Sequence, residues 1–145
     1  MLGLFKKKEE QRSIAAILRK TADRISSESY LWKDLGICNC GNLAQVVTGL
    51  PGKEITRLAI KKHGDWEMLT KLHQPNSGYE IDHILDSMIE IGFRLDQIAK
   101  LENLSDQDIL NEIGVDLRRD KREDVVLYLN TWADLIEREN KLIKI

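Results

Sequence analysis

The chain has 145 residues, 42% apolar and 32% charged, with 22 basic against 24 acidic side chains for a formal net charge of −2. That length can bury a hydrophobic core without disulfide or metal staples, and that composition excludes a disordered or membrane-embedded polypeptide. The near balance of charge excludes a global field that would draw the protein onto nucleic acid or anionic lipid, so any such binding has to come from a local patch.

Met1 to Lys8 reads Met-Leu-Gly-Leu-Phe-Lys-Lys-Lys, with its charges after a short apolar stub. This is the reverse of a secretory signal, and no apolar run approaches the roughly 18–20 residues that span a bilayer. Residues 1–9 are expected to be a flexible stub and residues 10–145 a single all-helical domain, in the cytoplasm and with no transmembrane segment. From about Glu10 to Tyr30, Ile14, Ile17, Leu18, Ala22 and Ile25 recur at helical spacing, which predicts an amphipathic first helix.

A turn through Lys33 to Gly36 precedes Cys38-Asn-Cys-Gly-Asn42 and a short helix over Leu43 to Gly49, followed by the turn Leu50-Pro51-Gly52. Lys53 to Lys62 places Ile55, Leu58, Ala59 and Ile60 on one face, with Gly64 expected to close the helix in a left-handed conformation. Asp65 to Leu72 reads as a short helix carrying Trp66 and Leu69. His73-Gln-Pro-Asn-Ser-Gly78 is a loop, because Pro75 blocks helix continuation. Ser77 and Glu80 have capping-box spacing before a helix that turns Ile81, Ile84, Leu85, Met88 and Ile89 inward and ends at Gly92.

Leu95 to Leu101 and Ile109 to Ile113 are two further short helices, with Ser105 and Asp108 as a cap-like pair and Gly114 as terminator. Asp120 and Glu123 fit a third capping box, opening a long last helix with Val125, Leu129, Trp132, Ala133 and Ile136 on its apolar stripe. No useful stretch alternates apolar and polar residues, so there is no case for a sheet. The fold expected is all-α, a compact bundle of about seven or eight helices with long first and last helices around short central ones. Trp132 is expected in the core.

The run from Gln97 to Ile113 resembles a helix-turn-helix. Ala99 is the small residue, Asn103 the left-handed position, Ser105 the cap, and Ile109 and Ile113 the apolar locks. Its second helix presents Asp106, Gln107, Asp108 and Glu112, which phosphates would repel, so nucleic acid is disfavoured as a partner. The basic cluster Arg118, Arg119, Lys121 and Arg122 lies just beyond and is the candidate nucleic-acid or partner-binding patch, although Asp116, Asp120, Glu123 and Asp124 dilute it.

Cys38 and Cys40 sit at a helix entry, where backbone amides and the helix dipole are expected to lower thiol pKa values. They could be half of a zinc or iron site completed by His63 and His73, with His83 a further candidate, although these spacings are unlike the common zinc modules. The alternatives are a thiol pair or buried structural cysteines, and no cofactor. The tyrosines and tryptophans with Asp65, Glu67, Asp82 and Asp86 form no convergent carboxylate pair. The chain lacks a Gly-rich phosphate loop, a nucleophile elbow and a metalloprotease motif, so no catalytic residue is assigned.

Taken together, Cys38-Asn-Cys-Gly-Asn-Leu43, Gly64-Asp-Trp66, Ser77-Gly-Tyr-Glu-Ile-Asp82 and Leu101-Glu-Asn-Leu-Ser-Asp106 look like a family of small uncharacterised bacterial proteins. The resemblance covers the region from Cys38 to Asp106 and implies a helical fold in the bacterial cytoplasm and no activity. Function is expected to be that of a non-enzymatic protein-interaction or regulatory module acting on a protein partner or a second copy of itself. The alternatives are a metal- or thiol-dependent protein using Cys38 and Cys40, and a helix-turn-helix nucleic-acid binder.

Overall fold

A computed structural model describes residues 2–142, and among them the chain forms eight helices and no strand. They are α1 (Leu2–Ser27), α2 (Asn39–Thr48), α3 (Gly52–Ile60), α4 (Trp66–Lys71), α5 (Glu80–Ile91), α6 (Leu95–Asn103), α7 (Gln107–Ile113) and α8 (Arg122–Lys141). Met1 and residues 143–145, the extremes of the expected stub and domain, lie outside the described residues. The stretch expected as a stub is helical from Leu2 onward, and the first helix stops at Ser27 rather than Tyr30.

The two long helices pack side by side. Ile14, Ala15, Leu18, Ala22 and Ile25 of α1 face Val125, Leu129, Ala133 and Ile136 of α8, all buried. The 3–4 residue spacing puts each set on one stripe, and the alanines let the backbones approach. Each fully buried Leu or Ile here contributes roughly 1.5–3 kcal/mol of transfer free energy, which outweighs the weak propensity terms of single residues. On the solvent side Arg19 bridges Asp134 at 2.6 Å and Glu137 at 2.9 Å, across the same helix pair. Trp132 is buried as expected and meets Phe93 and Tyr128 edge-on, with ring centroids 5.8 and 6.4 Å apart.

Of the short helices, α2 and α5 pack on α1 and α7 packs on α8. α2 packs on α1, α3, α5 and α6, while α4 packs on α6. Two glycines set how closely these pieces meet. A Cβ on Gly36 would lie 1.9 Å from Gly52 O, and one on Gly41 would lie 2.4 Å from Leu35 O. Only glycine therefore lets the segment before α2 lie against the first residue of α3 and against α2 itself.

Several local expectations are overturned by tertiary contacts. Ile60 and Ile89, placed inward by periodicity, are exposed, because neither helix has a neighbour on that side. Gly64 does not take a positive φ, since α3 ends earlier, at Lys61, in right-handed backbone. The N-caps of α5, α7 and α8 are Tyr79, Asp106 and Lys121 rather than Ser77, Ser105 and Asp120. Asp106 Oδ1 accepts from the amides of Asp108 and Ile109 at 3.0 and 3.2 Å, satisfying two free donors at the start of α7.

The corner between α6 and α7 also differs in detail from the motif that it resembles. The left-handed residue is Leu104, at φ 50°, and Asn103 still belongs to α6. The leucine tolerates that backbone because its side chain is buried and because Tyr128 of α8 clamps the corner. The Tyr128 hydroxyl accepts from Asp106 N at 3.2 Å and lies 3.4 Å from Lys100 O.

Candidate functional site

The segment between α1 and α2 and the C-terminal end of α6 meet through side chains that satisfy the free carbonyls of α6. Asn39, fully buried in the first turn of α2, donates from Nδ2 to Leu101 O and Glu102 O, each at 3.1 Å. Trp32 donates from its indole to Glu102 O at 3.4 Å, and Trp66 from its own to Leu35 O at 2.9 Å. The Tyr30 hydroxyl lies 2.6 Å from Asn39 Oδ1 and 2.8 Å from Arg119 O, one proton between two acceptors, and so ties the segment before α8 onto the same place.

These contacts leave a cleft of about 380 Å³, within the range of small-ligand sites, whose lining includes Trp32, Cys38, Asp65, Trp66, Glu102 and Arg119. Over its mouth the Arg119 guanidinium stacks on the Trp32 ring, 4.3 Å from the centroid, and its Nη1 donates to Asn103 Oδ1 at 2.8 Å. Beneath lies Glu102, 8% exposed, whose Oε1 has no hydrogen-bond partner. Burial pushes this carboxyl up to about 7, opposed by the Cys38 thiol and the Cys40 amide, with Asp65 adding to the rise and Arg119 opposing it.

Cys38 caps α2, its sulfur accepting from Gly41 N at 3.3 Å, while the Cys40 thiol donates to Ile98 O at 3.1 Å. Both are buried, and burial followed by the nearby Glu102 drives both thiols well above their ordinary range. The expectation of a lowered thiol pKa is thus reversed, since loss of water at these positions outweighs the pull of the helix amides.

The proposed ligand set of Cys38, Cys40, His63 and His73 does not assemble. Among the described residues no three His, Cys, Asp or Glu side chains converge to hold a metal ion. His73 Nε2 is engaged by Asp86 Oδ1 at 2.7 Å, and His83 is exposed. His63 Nδ1 is buried without a partner, and His63 does not line the cleft.

The basic cluster is dispersed in the same way. Arg118 pairs with Asp120 at 3.0 Å, Arg122 reaches Ser26 O at 3.3 Å, Lys121 stands at the N-cap position of α8 without a side-chain cap bond, and of the four Arg119 lines the cleft. The outer face of α7 is acidic, and one of its acids, Glu112, is bridged by Arg138 of α8 at 2.8 Å.

Sequence reasoning missed Glu102 and Trp32 as site residues. A signal for Glu102 was present. Three of the four polar or glycine-bearing runs singled out on the sequence supply Cys38, then Gly64, Asp65 and Trp66, then Glu102 and Asn103, and all of these line the one cleft. The fourth run carries a second buried carboxylate, Asp82, which accepts from Lys62 at 2.6 Å and Ser77 at 2.5 Å. No protein-family model, no curated protein and no solved structure matches the chain.

Proposed function

We propose that the chain is a non-enzymatic regulatory module that works by binding, and that the cleft over Glu102 is where it binds. The observation that carries this reading is Glu102 Oε1, buried without a hydrogen-bond partner in the lining of an open cleft where a guanidinium stacks on an indole. A buried acceptor left without a donor costs about 1–3 kcal/mol, a cost that a ligand can relieve. The one thiol lining the cleft, Cys38, is held protonated, which supports binding over nucleophilic chemistry there. The segments that form the walls are short connections on a rigid helical frame, the usual setting of binding residues.

A library of small polar fragments, screened against the ¹⁵N-labelled chain by heteronuclear NMR, tests this. Saturable shifts of the Trp32 indole N–H and of the Gly64, Asn103 and Arg119 amides are expected. Binding confined to other surfaces would remove the reading.

A second contact has its own observation. Leu2 is 86% exposed and Phe5 53%, at the end of the α1–α8 pair where Leu142 is also exposed. Lys8 O there accepts from Asn140 Nδ2 at 3.2 Å, which brings the two helix ends together. Such an apolar end suits a protein partner or a second copy. Sedimentation of the wild type and Phe5→Glu should separate the two, with self-association lost in the variant. A sharp wild-type monomer at high concentration would leave only the heterologous partner.

A further inference from the structure

We propose that the occupant of the cleft is a small organic cation, an ammonium or guanidinium group seated on Glu102 with its apolar or planar body against Trp32. The inference rests on the binding reading above and adds the ligand's charge. Glu102 Oε1 is an acceptor with no partner, so the missing group is a donor. A charged donor fits better than a neutral one, because a carboxylate nine-tenths removed from water is stabilised far more by a cation than by a dipole.

The indole wall already shows the preference. Its face receives a guanidinium, that of Arg119, at 4.3 Å. The lining carries Asp65 and Glu67 against Lys33 and Arg119, so ionised Glu102 supplies an acidic excess even with Arg119 in place. An anionic ligand would have to approach Glu102 against that excess, and a purely apolar one would leave Oε1 without a donor. Arg119 is therefore the internal occupant of part of the site, and a ligand cation competes with it for the Trp32 face.

The test is an NMR titration of the full chain with n-butylguanidinium, its neutral isostere n-butylurea, and n-butyrate, on the wild type and on Arg119→Ala. The expected result is saturable movement of the Trp32 indole N–H by the guanidinium, with the urea and the carboxylate weaker by about tenfold or more, the loss of one charge-assisted contact. Glu102→Gln, whose dispersed spectrum reports that it is folded, should weaken guanidinium binding by a similar factor. Glu67→Gln should change it less than about twofold, since that carboxylate lies outside the buried floor.

Arg119→Ala should bind more tightly than wild type, and a guanidinium that binds this variant alone still supports the site, with Arg119 as its cover. Equal binding of the urea, or undiminished binding to Glu102→Gln, overturns the cation assignment and leaves the binding reading standing. No saturable shift at the cleft for any compound in either protein overturns both. An arginine side chain carries the same chemistry. A capped Gly-Gly-Arg-Gly-Gly peptide that binds more tightly than n-butylguanidinium assigns the cation to a partner protein, and the reverse order assigns it to a free small molecule.

Discussion

Two carboxylates are buried among the described residues, one bonded to a cation and one not. Asp82, on α5, receives Lys62 Nζ at 2.6 Å, Ser77 Oγ at 2.5 Å and Gln74 N at 3.4 Å. Burial would raise its pKa, yet those donors win and hold it below the ordinary aspartate range. Glu102, on α6, has no cation bonded to it, and burial prevails. The difference is one of supply. Lys62 donates also to Leu72 O at 2.6 Å and lies over the Tyr79 ring, so the Asp82 node closes the loop between α4 and α5 through Oδ2, while Oδ1 is buried without a partner. Arg119, which lines the same cleft as Glu102, is spent on Trp32 and Asn103 instead. A buried carboxylate paired with a cation is an element of structure, whereas one without a cation beside an open cleft is a place for something else.

The largest test of that contrast is to take the cation away from Asp82 as well. Lys62→Met leaves a buried carboxylate without its counter-ion and should cost about 3–5 kcal/mol of unfolding free energy in urea titration. Lys62→Met with Asp82→Leu should recover most of the loss, and a double variant no better than the single would show that the pair is not the source.

The reverse operation at Glu102 should stabilise. Its folded pKa, about 7, lies above its ordinary value of 4.5, so the ionised form is disfavoured by folding. The cost begins as pH rises past about 4.5 and is complete above about 7, where it reaches on the order of 3 kcal/mol. Glu102→Gln is accordingly expected to be more stable than wild type by about that amount at pH 8–9, with the gain vanishing near pH 4.5. A pH-independent difference would place the effect in packing.

Asp82→Asn should show the opposite sign and pH trend. The carboxylate's contribution is present above the ordinary aspartate pKa and is lost as pH falls through its lowered folded value. The variant is expected to be less stable by about 2 kcal/mol at pH 7 and to converge on wild type in acid, as read by thermal unfolding. The smallest effect belongs to Arg119→Ala. An exposed guanidinium on an indole should give up no more than about 1 kcal/mol of stability, while Trp32 emission changes as its face is uncovered.

Much of this molecule was legible along the chain. Apolar residues at three- and four-residue spacing define both long helices and most of the core, and Gly49, Gly92 and Gly114 end their helices as expected. These are local properties, because helix periodicity and a left-handed stop are written within a few residues. The caps shifted by one or two residues because neighbouring side chains claimed the expected ones, as Arg118 does Asp120. Ser77, for instance, is used on Asp82.

What the sequence by itself determined is the all-helical class, the order of the helices and the inward face of α1 and α8. What only the tertiary structure decided is which polar residues meet and which are left without water. Glu102 reads along the chain as one more charge on a helix, and Cys38 and Cys40 read as thiols at a favourable helix entry. Burial inverted both readings, and burial is set by α2, α4 and the segment before α8 closing over them from distant parts of the chain.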